Sequence, residues 1–258
     1  MQKILRSGVL AGIVAAAVLA TGCTRQSSSA MSQGQGEAIL HELKEIRKLL
    51  EGQQSGARSA AQAQAAPRPQ SAEVSIAGAH SLGSADAPIV LVEFTDYQCP
   101  FCSRFATTTF EELKAKYIDT GQVRLVSRDL PLPMHNNAEQ AAYAARCADE
   151  QGKYWEMREV MFQNISALDD GALLGYAADL GLDRAGFEVC FGSGKYQEAV
   201  RADAAAAGAI GISGTPSFVL GRASGDGDTD TVRGNIIVGA QPFAAFDAQI
   251  KALLAAGE

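Results

Sequence analysis

The chain has no excess of positive charge and no long apolar run, and each absence excludes a class of protein. Its 22 Lys and Arg residues are outnumbered by 29 Asp and Glu residues, whereas a nucleic-acid surface needs basic clusters that displace counterions. The apolar run at residues 8–20 is shorter than the roughly 20 residues that a membrane-spanning helix requires. We therefore expect a globular protein with no nucleic-acid partner, and 258 residues allow one sizeable domain with an appendage.

The first residues have the pattern of an export signal. Lys3 and Arg6 give a short positive region, the apolar run follows, and Leu19-Ala20-Thr21-Gly22-Cys23 ends it. This last segment resembles the lipobox of bacterial lipoproteins, in which cleavage leaves a lipidated cysteine as the first mature residue. We expect residues 1–22 to be a lipoprotein-type signal peptide and Cys23 to anchor a periplasmic protein to the membrane. Ordinary cleavage near Ala20, which would release a soluble periplasmic protein, is the alternative.

The segment between the signal and the globular part has three stretches of different composition. Residues 23–36 predict a flexible tether and residues 52–72 a second linker rich in Ala, Gln and Pro. Residues 37–51 predict an amphipathic helix whose apolar positions have the spacing of a coiled coil: Ile39, Leu43, Ile46 and Leu50. This helix favours a homo-oligomer, although so short a repeat also fits a solvated helix or one that docks on the domain. The globular domain is expected at residues 73–258.

The cysteines indicate redox chemistry. Lipidation of Cys23 would leave an even set of four in an oxidising compartment. Cys99-Pro100-Phe101-Cys102 follows an apolar run at residues 89–95 that predicts a buried strand, and helical spacing follows the motif. A cysteine at a helix N-terminus faces unpaired N–H groups and the positive end of the dipole, which favour the nucleophilic thiolate. We therefore expect a redox disulfide, with Cys99 as the exposed attacking sulfur and Cys102 as the buried resolving one.

Two other uses of a Cys-x-x-Cys pair are weaker interpretations. A zinc site needs a second pair of ligands at comparable spacing, and His41, His80 and His135 stand far apart in the sequence. A purely structural disulfide is possible, although so tight a loop seldom serves only to stabilise a fold. We expect neither a metal nor a cofactor.

The motifs together resemble those of the thioredoxin superfamily, specifically of DsbA-like bacterial disulfide oxidoreductases. The run from Val90 to Cys102 is similar to the family's active-site strand and helix start, and Gly214-Thr215-Pro216 is similar to its cis-proline loop. The resemblance covers roughly residues 73–258. It implies an α/β thioredoxin fold with an inserted α-helical domain at about residues 131–212. It also implies a thiol–disulfide oxidoreductase that acts on cysteine-containing exported proteins and works with a membrane redox partner.

The resemblance assigns roles to further residues. Glu93 would be the family's buried carboxyl group, with a pKa raised by its apolar strand, and would exchange a proton with Cys102 directly or through water; the alternative is a solvent-facing glutamate. A cis bond before Pro216 would set Thr215 against the cysteine pair, with its backbone free to bond an extended substrate. Some DsbA-like proteins carry a structural disulfide in the helical block, where Cys147 and Cys190 fall. Two buried free thiols and a second redox pair are the alternatives there.

The direction of the reaction is left open by the sequence. Phe101 stands where strong oxidases of this family carry a histidine, so the Cys99 thiolate should be less stabilised and the disulfide less oxidising. Thr215 resembles the corresponding residue of the family's isomerases, and the helix at 37–51 could supply the oligomerisation that isomerases use. An oligomeric isomerase or reductase is therefore the alternative to an oxidase. A lipid-anchored chaperone or binding module without a redox cycle is a third possibility.

Overall fold

The computed structural model describes residues 34, 36–48, 70–223 and 230–256. The predicted signal peptide, Cys23 and most of both linkers lie outside the described residues. The chain divides into two units, residues 1–66 and 67–258. In the first unit, residues 36–48 form helix α1, whose apolar side chains are exposed, while residues 49–51 of the predicted helix lie outside the description.

The second unit is a six-stranded mixed sheet with helices on both faces. Its strands are β1 (Ser71–Ser75), β2 (His80–Leu82), β3 (Ile89–Thr95), β4 (Val123–Asp129), β5 (Ser217–Ala223) and β6 (Thr231–Val238). Its helices are α2 (Pro100–Thr107), α3 (Thr109–Leu113), α4 (Ala138–Asp149), α5 (Tyr154–Gln163), α6 (Asp170–Asp179), α7 (Arg184–Gly192), α8 (Gln197–Ala209) and α9 (Phe243–Ala255), and a π-helical turn, Lys114–Ile118, continues α3. The strand order is β1-β6-β5-β3-β4-β2.

Strand β3 is the centre of the sheet and leads directly into the cysteine motif. All its residues are buried, as its continuous run of apolar and β-branched side chains predicts. It pairs parallel with β4 and antiparallel with β5, and Glu93 lies opposite Ser127 on one neighbour and Phe218 on the other. Strand β1 begins at Ser71, slightly before the predicted boundary at 73, because it pairs with the outer edge of β6.

The helical insertion lies between β4 and β5. Helices α4–α8 occupy this connection and enclose an apolar core of their own, which includes Ala144, Met157 and Phe187. On the sheet, one face packs against α2, α3 and α9, and the other packs against residues of α8 such as Ala207. The prediction of an α/β thioredoxin fold with a helical insertion is confirmed. In the described parts of the chain, every helix is too short or too polar to cross a membrane.

The helix after the motif is interrupted, although the sequence predicts one helix that ends at Gly121. Its break lies at Thr108, whose backbone angles (φ −132°, ψ −81°) are not helical. The hydroxyl groups of Thr107 and Thr108 donate to the carbonyls of Ser103 and Arg104 at 2.8 and 2.6 Å. Such local hydrogen bonds compete with the backbone ladder, which accounts for the break.

Candidate redox site

Cys99 is the residue that caps the N-terminus of α2. Its backbone is extended (φ −77°, ψ 122°), and Pro100 begins the helix. A proline fits there because the first helical residues have no intrahelical partner for their N–H groups. Cys99 is held on both sides, since its N–H donates to the Asp96 carbonyl at 3.1 Å and its carbonyl accepts from Ser103 at 3.0 Å. The strand-to-helix junction therefore fixes the position of the sulfur.

The two thiols have opposite acidities. The hydrogen bond from the Cys102 thiol lowers the pKa of Cys99 to about 5, opposed by burial and assisted by the backbone N–H groups of Cys102 and Phe101. Burial raises the pKa of Cys102 well above its usual value, and the neighbouring Cys99 and Glu93 raise it further. At neutral pH the pair therefore carries one negative charge, on the Cys99 sulfur, with the proton on Cys102.

The exposure of Cys99 differs from the sequence-based expectation. Cys99 is only 3% exposed, so the expectation of an exposed attacking sulfur is wrong. Cys102 is fully buried, as expected. The Cys99 sulfur lies 3.5 Å from the Thr215 carbonyl oxygen, across from the motif. Phe101, by contrast, is 54% exposed. The Thr215 carbonyl therefore lies directly against the Cys99 sulfur.

The Thr215 loop has the conformation that the resemblance implies. The peptide bond between Thr215 and Pro216 is cis, and β5 begins directly after it. The Ser217 hydroxyl donates to the Gly214 carbonyl at 2.6 Å, which closes the loop on itself. The structure thus brings Thr215 and Pro216 together with Cys99, although they are separated by more than a hundred residues.

Glu93 is buried, as expected, but it is not alone. The Arg158 guanidinium, from α5, donates to a Glu93 carboxylate oxygen at 2.8 Å, and both side chains are almost completely buried. Sequence reasoning missed this partner, because Arg158 lies 65 residues further along the chain, on a helix of the insertion.

Cys147 and Cys190 form a disulfide within the helical insertion. It joins α4 to α7, with a Cα–Cα distance of 5.8 Å. Cys99 and Cys102 are both free thiols. The structure therefore separates the two pairs by role as well as by position: one links helices, and the other lies at the strand-to-helix junction.

A second buried carboxylate, Asp96, orders the segment before the motif. One oxygen accepts from the Gln98 N–H at 2.8 Å. The other accepts from the Leu132 N–H at 2.8 Å and lies 2.8 Å from His135 Nδ1. Asp96 follows a buried strand at its carboxyl end, which is the signal that could have identified it. Within the described residues no group of His, Cys, Asp or Glu side chains is arranged to hold a metal ion.

Comparisons with known proteins agree with this geometry. Wolbachia pipientis alpha-DsbA1 superposes with a TM-score of 0.61 at 26% identity, over 69% of this chain and 91% of that chain. BdbD from Bacillus subtilis, in its oxidised form, superposes with a TM-score of 0.60 at 22% identity, over 71% and 97% of the two chains. The second likeness concerns the fold alone.

Sequence relatives include a different kind of protein. The Na(+)/H(+) antiporter NhaA 3 of Salinispora tropica is 36% identical over 142 residues, which are 55% of this chain but 21% of that antiporter. The matching part of the chain thus spans about a fifth of the length of such relatives. A family model described as thioredoxin matches residues 75–233, which is more than half of the sequence. The chain therefore belongs to the thioredoxin family.

Proposed function

We propose that Cys99 and Cys102 are the redox pair through which this DsbA-like thiol–disulfide oxidoreductase exchanges disulfide bonds with exported proteins. The observation that carries the proposal is the pair of opposite acidities. The pKa of Cys99 is lowered to about 5, whereas burial holds the pKa of Cys102 above its usual value. A thiolate is both the nucleophile and the better leaving group in disulfide exchange, so Cys99 is the sulfur that exchanges with substrate.

The reaction in the oxidising direction has two steps. A substrate thiolate attacks the Cys99 sulfur of the Cys99–Cys102 disulfide, so that a mixed disulfide forms and Cys102 leaves as a thiolate that takes up a proton. A second thiolate of the same substrate then attacks the substrate sulfur of the mixed disulfide, and Cys99 leaves as the stabilised thiolate. Substrate loses two electrons and the pair gains them. The backbone of Thr215, a half-buried residue whose carbonyl oxygen lies 3.5 Å from the Cys99 sulfur, would hold the substrate chain during both steps.

Two cysteine variants test this assignment. Cys99→Ser should abolish oxidation of a dithiol peptide and reduction of insulin, because no sulfur remains to form the mixed disulfide. Cys102→Ser should accumulate mixed disulfides with exported proteins, because the resolving thiol is missing. Retention of turnover by Cys99→Ser would reject the redox assignment. Chaperone activity that persists unchanged in the same variant would instead support a binding module without a redox cycle.

The low pKa of Cys99 favours the oxidase direction over the isomerase alternative. A stabilised thiolate stabilises the reduced form, which makes the disulfide a stronger oxidant. The side chain of Phe101 provides no hydrogen-bond donor or charge to strengthen this effect. We therefore expect a reduction potential between those typical of thioredoxin and of DsbA, about −270 and about −120 mV. Equilibration with glutathione measures it, and a value near the thioredoxin limit would favour a reductase or isomerase.

We further propose that the protein works in the periplasm, anchored by lipid at Cys23, with a membrane redox partner that restores its disulfide. The export pattern of residues 1–22 and the Cys147–Cys190 disulfide support this placement, since disulfides persist in oxidising compartments. Incorporation of a labelled fatty acid into the wild type, but not into Cys23→Ala, tests the anchor. Antiport is not proposed, because most of each antiporter's length has no counterpart in the match.

Helix α1 supports a homo-oligomer. Ile39, Leu43 and Ile46 occupy coiled-coil positions and are 46%, 55% and 52% exposed. Pairing with another copy would bury this apolar stripe. Light scattering of the mature chain should give an oligomer for the wild type and a monomer for Leu43→Glu. A monomeric wild type would reject the proposal.

A further inference from the structure

We propose that Thr95 is a further catalytic residue of the redox site, whose hydroxyl group donates a hydrogen bond to the Cys102 sulfur while that sulfur is a thiolate. The inference rests on the proposed function of the Cys99–Cys102 pair and deepens it. It gives the buried resolving sulfur a partner of its own, beside the groups described above that act on Cys99.

Thr95 lies where the central strand meets the helix that follows it. It is the last residue of β3 and is 1% exposed. Side chains alternate along a strand, so Thr95 shares one face of β3 with Leu91. Leu91 packs in one apolar cluster with Phe105 of α2, and the fully buried Cys102 lies one helical turn before Phe105. The face of β3 that carries Thr95 therefore packs on the face of α2 that carries Cys102.

The sheet fixes the position of the Thr95 side chain. Thr95 stands opposite Asp129 of β4, and its carbonyl accepts a hydrogen bond from the Leu130 N–H at 2.7 Å. A β-branched side chain has few rotamers, so the hydroxyl oxygen is held in one place. Only the O–H bond can turn, and it can turn toward an acceptor.

The Thr95 hydroxyl is buried without a hydrogen-bond partner in the described part of the chain. Most buried polar side-chain atoms are hydrogen-bonded, because burial of an unpaired hydroxyl is unfavourable. A valine of the same shape would fill this space without that cost. An unpaired hydroxyl beside the cysteine pair therefore indicates an acceptor that is present during only part of the reaction.

Cys102 is the acceptor within reach of this hydroxyl. Burial, the Cys99 sulfur and the Glu93 charge raise the pKa of the Cys102 thiol, whereas the interaction with the Thr95 hydroxyl lowers it. While Cys102 keeps its proton, the contact falls short of an ordinary hydrogen bond, because a protonated thiol is a weak acceptor. Loss of the proton turns the sulfur into a charged acceptor, and hydrogen bonds to charged acceptors are stronger.

The other favourable groups at the site act elsewhere. Together with the hydrogen bond from the Cys102 thiol, the backbone N–H groups of Cys102 and Phe101 lower the pKa of Cys99, so the start of α2 serves the capping sulfur. The buried guanidinium of Arg158 is engaged by Glu93 at 2.8 Å. The hydroxyl of Thr95 thus supplies the resolving sulfur with a donor that these groups do not.

The hydrogen bond acts in both directions of the redox cycle. When the pair resolves a mixed disulfide, the Cys102 proton passes to water and the thiolate attacks the Cys99 sulfur. The Cys99–Cys102 bond forms, the bond between Cys99 and the partner breaks, and the partner leaves as a thiolate. The cysteine pair loses two electrons and the partner gains them. In the oxidising direction Cys102 is the leaving thiolate, and Thr95 keeps its proton in both.

Ellman's reagent separates the resolving step from the first one. Mixed in a stopped-flow instrument with the reduced mature protein, it releases one aromatic thiolate when Cys99 attacks and a second when Cys102 resolves the mixed disulfide. Thr95→Val should slow the second release at least about fivefold, because a hydrogen bond to a charged acceptor is lost. Thr95→Ser keeps the hydroxyl and should resolve within about twofold of the wild type.

A control variant and a melting experiment separate a role in the reaction from a role in the fold. Thr95→Val should melt at the wild-type temperature or above it, because it removes an unpaired buried hydroxyl. Thr109→Val is the matched control, since the buried Thr109 hydroxyl donates to the Gln241 carbonyl at 3.1 Å. This control should melt at a lower temperature and keep the wild-type second release.

The outcomes distinguish the inference from the function on which it rests. Absence of the first release in the wild type would reject the redox assignment of Cys99. A normal first release, with a second release that slows less than about fivefold in Thr95→Val, would reject the role of Thr95 alone. Equal slowing in Thr95→Ser or in Thr109→Val would also reject it, since the hydroxyl would not be the cause. If Thr95→Val does not fold, Thr95→Ala replaces it, and a rate equal to that of Thr95→Ser would overturn the inference.

Discussion

The ionisation of Cys99 should make its own contribution to the pH dependence of the stability of the reduced protein between pH 5 and pH 8, beside those of Asp129 and His80. The perturbation is Cys99→Ser, which removes the ionisable group and keeps a small polar side chain. The pKa of Cys99 falls from a usual value of 9.0 to about 5 in the folded protein. A lowered folded pKa adds stability that is complete above the unfolded value and is lost as the pH falls through the folded one.

The stability contributed by the Cys99 thiolate depends on how far the pH lies from the folded and the unfolded pKa of Cys99. At pH 7 the folded thiol is ionised and the unfolded one is protonated, a difference of about two pH units or about 2.7 kcal/mol. We discount this to about 2 kcal/mol because Cys99 shares its proton equilibrium with Cys102. The same free energy stabilises the reduced form over the disulfide, and it corresponds to about 40 mV toward a more oxidising potential.

Urea unfolding of the reduced wild type and of Cys99→Ser at pH 5, 6, 7 and 8 measures this contribution. The stability difference should grow with pH, at a slope of at most about 1.4 kcal/mol per pH unit. Cys102→Ala is the matched control, because it removes the hydrogen bond that contributes most to the low pKa of Cys99. A pH-independent difference, together with a thiol that reacts with iodoacetamide only above pH 8, would refute the reasoning.

Three further substitutions test other parts of the structure. Replacing Cys147 and Cys190 with serine opens a loop of 43 residues, so urea unfolding should show a loss of about 3–4 kcal/mol, with an unchanged alkylation rate at Cys99. Phe101→His should lower the pKa of Cys99, because an imidazolium beside the thiolate favours its charge; thiolate absorbance should titrate at lower pH, and no shift would contradict the cause. Gly221→Ala would place a methyl group against the backbone of the neighbouring strand, so it should lower the melting temperature, and a neutral effect would show that the sheet can separate there.

The local features of the site are predictable from the sequence. A continuous run of apolar and β-branched residues can bury both faces of a strand, and residues 89–95 do so. A cysteine followed by proline marks the first turn of a helix, and α2 starts at Pro100. These predictions succeed because each depends on neighbouring residues.

Strand β6 was only partly predictable. The sequence indicates a strand at Asn235–Val238, and the observed strand starts at Thr231. Its first half carries Gly234, and glycine is depleted in strands. Pairing with β1 on one side and β5 on the other supplies the missing stability. Tertiary pairing of this kind leaves no periodic signal in the strand itself.

The partner of Glu93 could not be predicted at all. Glu93 and Arg158 lie 65 residues apart, on a strand and on a helix of the insertion. Helix α5 contains several charged residues, and nothing in its pattern marks Arg158 as the one that turns inward. Burial of Arg158 depends on three rings from two different helices, an arrangement that only the assembled fold specifies.

The position of the insertion limits how the fold can be rebuilt. The chain leaves the sheet after Asp129 and returns at Ser217. By topology alone, the helices between these two residues could be replaced without changing the sheet. The ion pair between Arg158 and Glu93 removes that freedom. A chimera that replaces this insertion with a short loop would keep every strand pairing, yet it would leave the buried Glu93 without its ion-pair partner. A minimal version of this protein therefore needs either a new cation at that place or a neutral residue at 93.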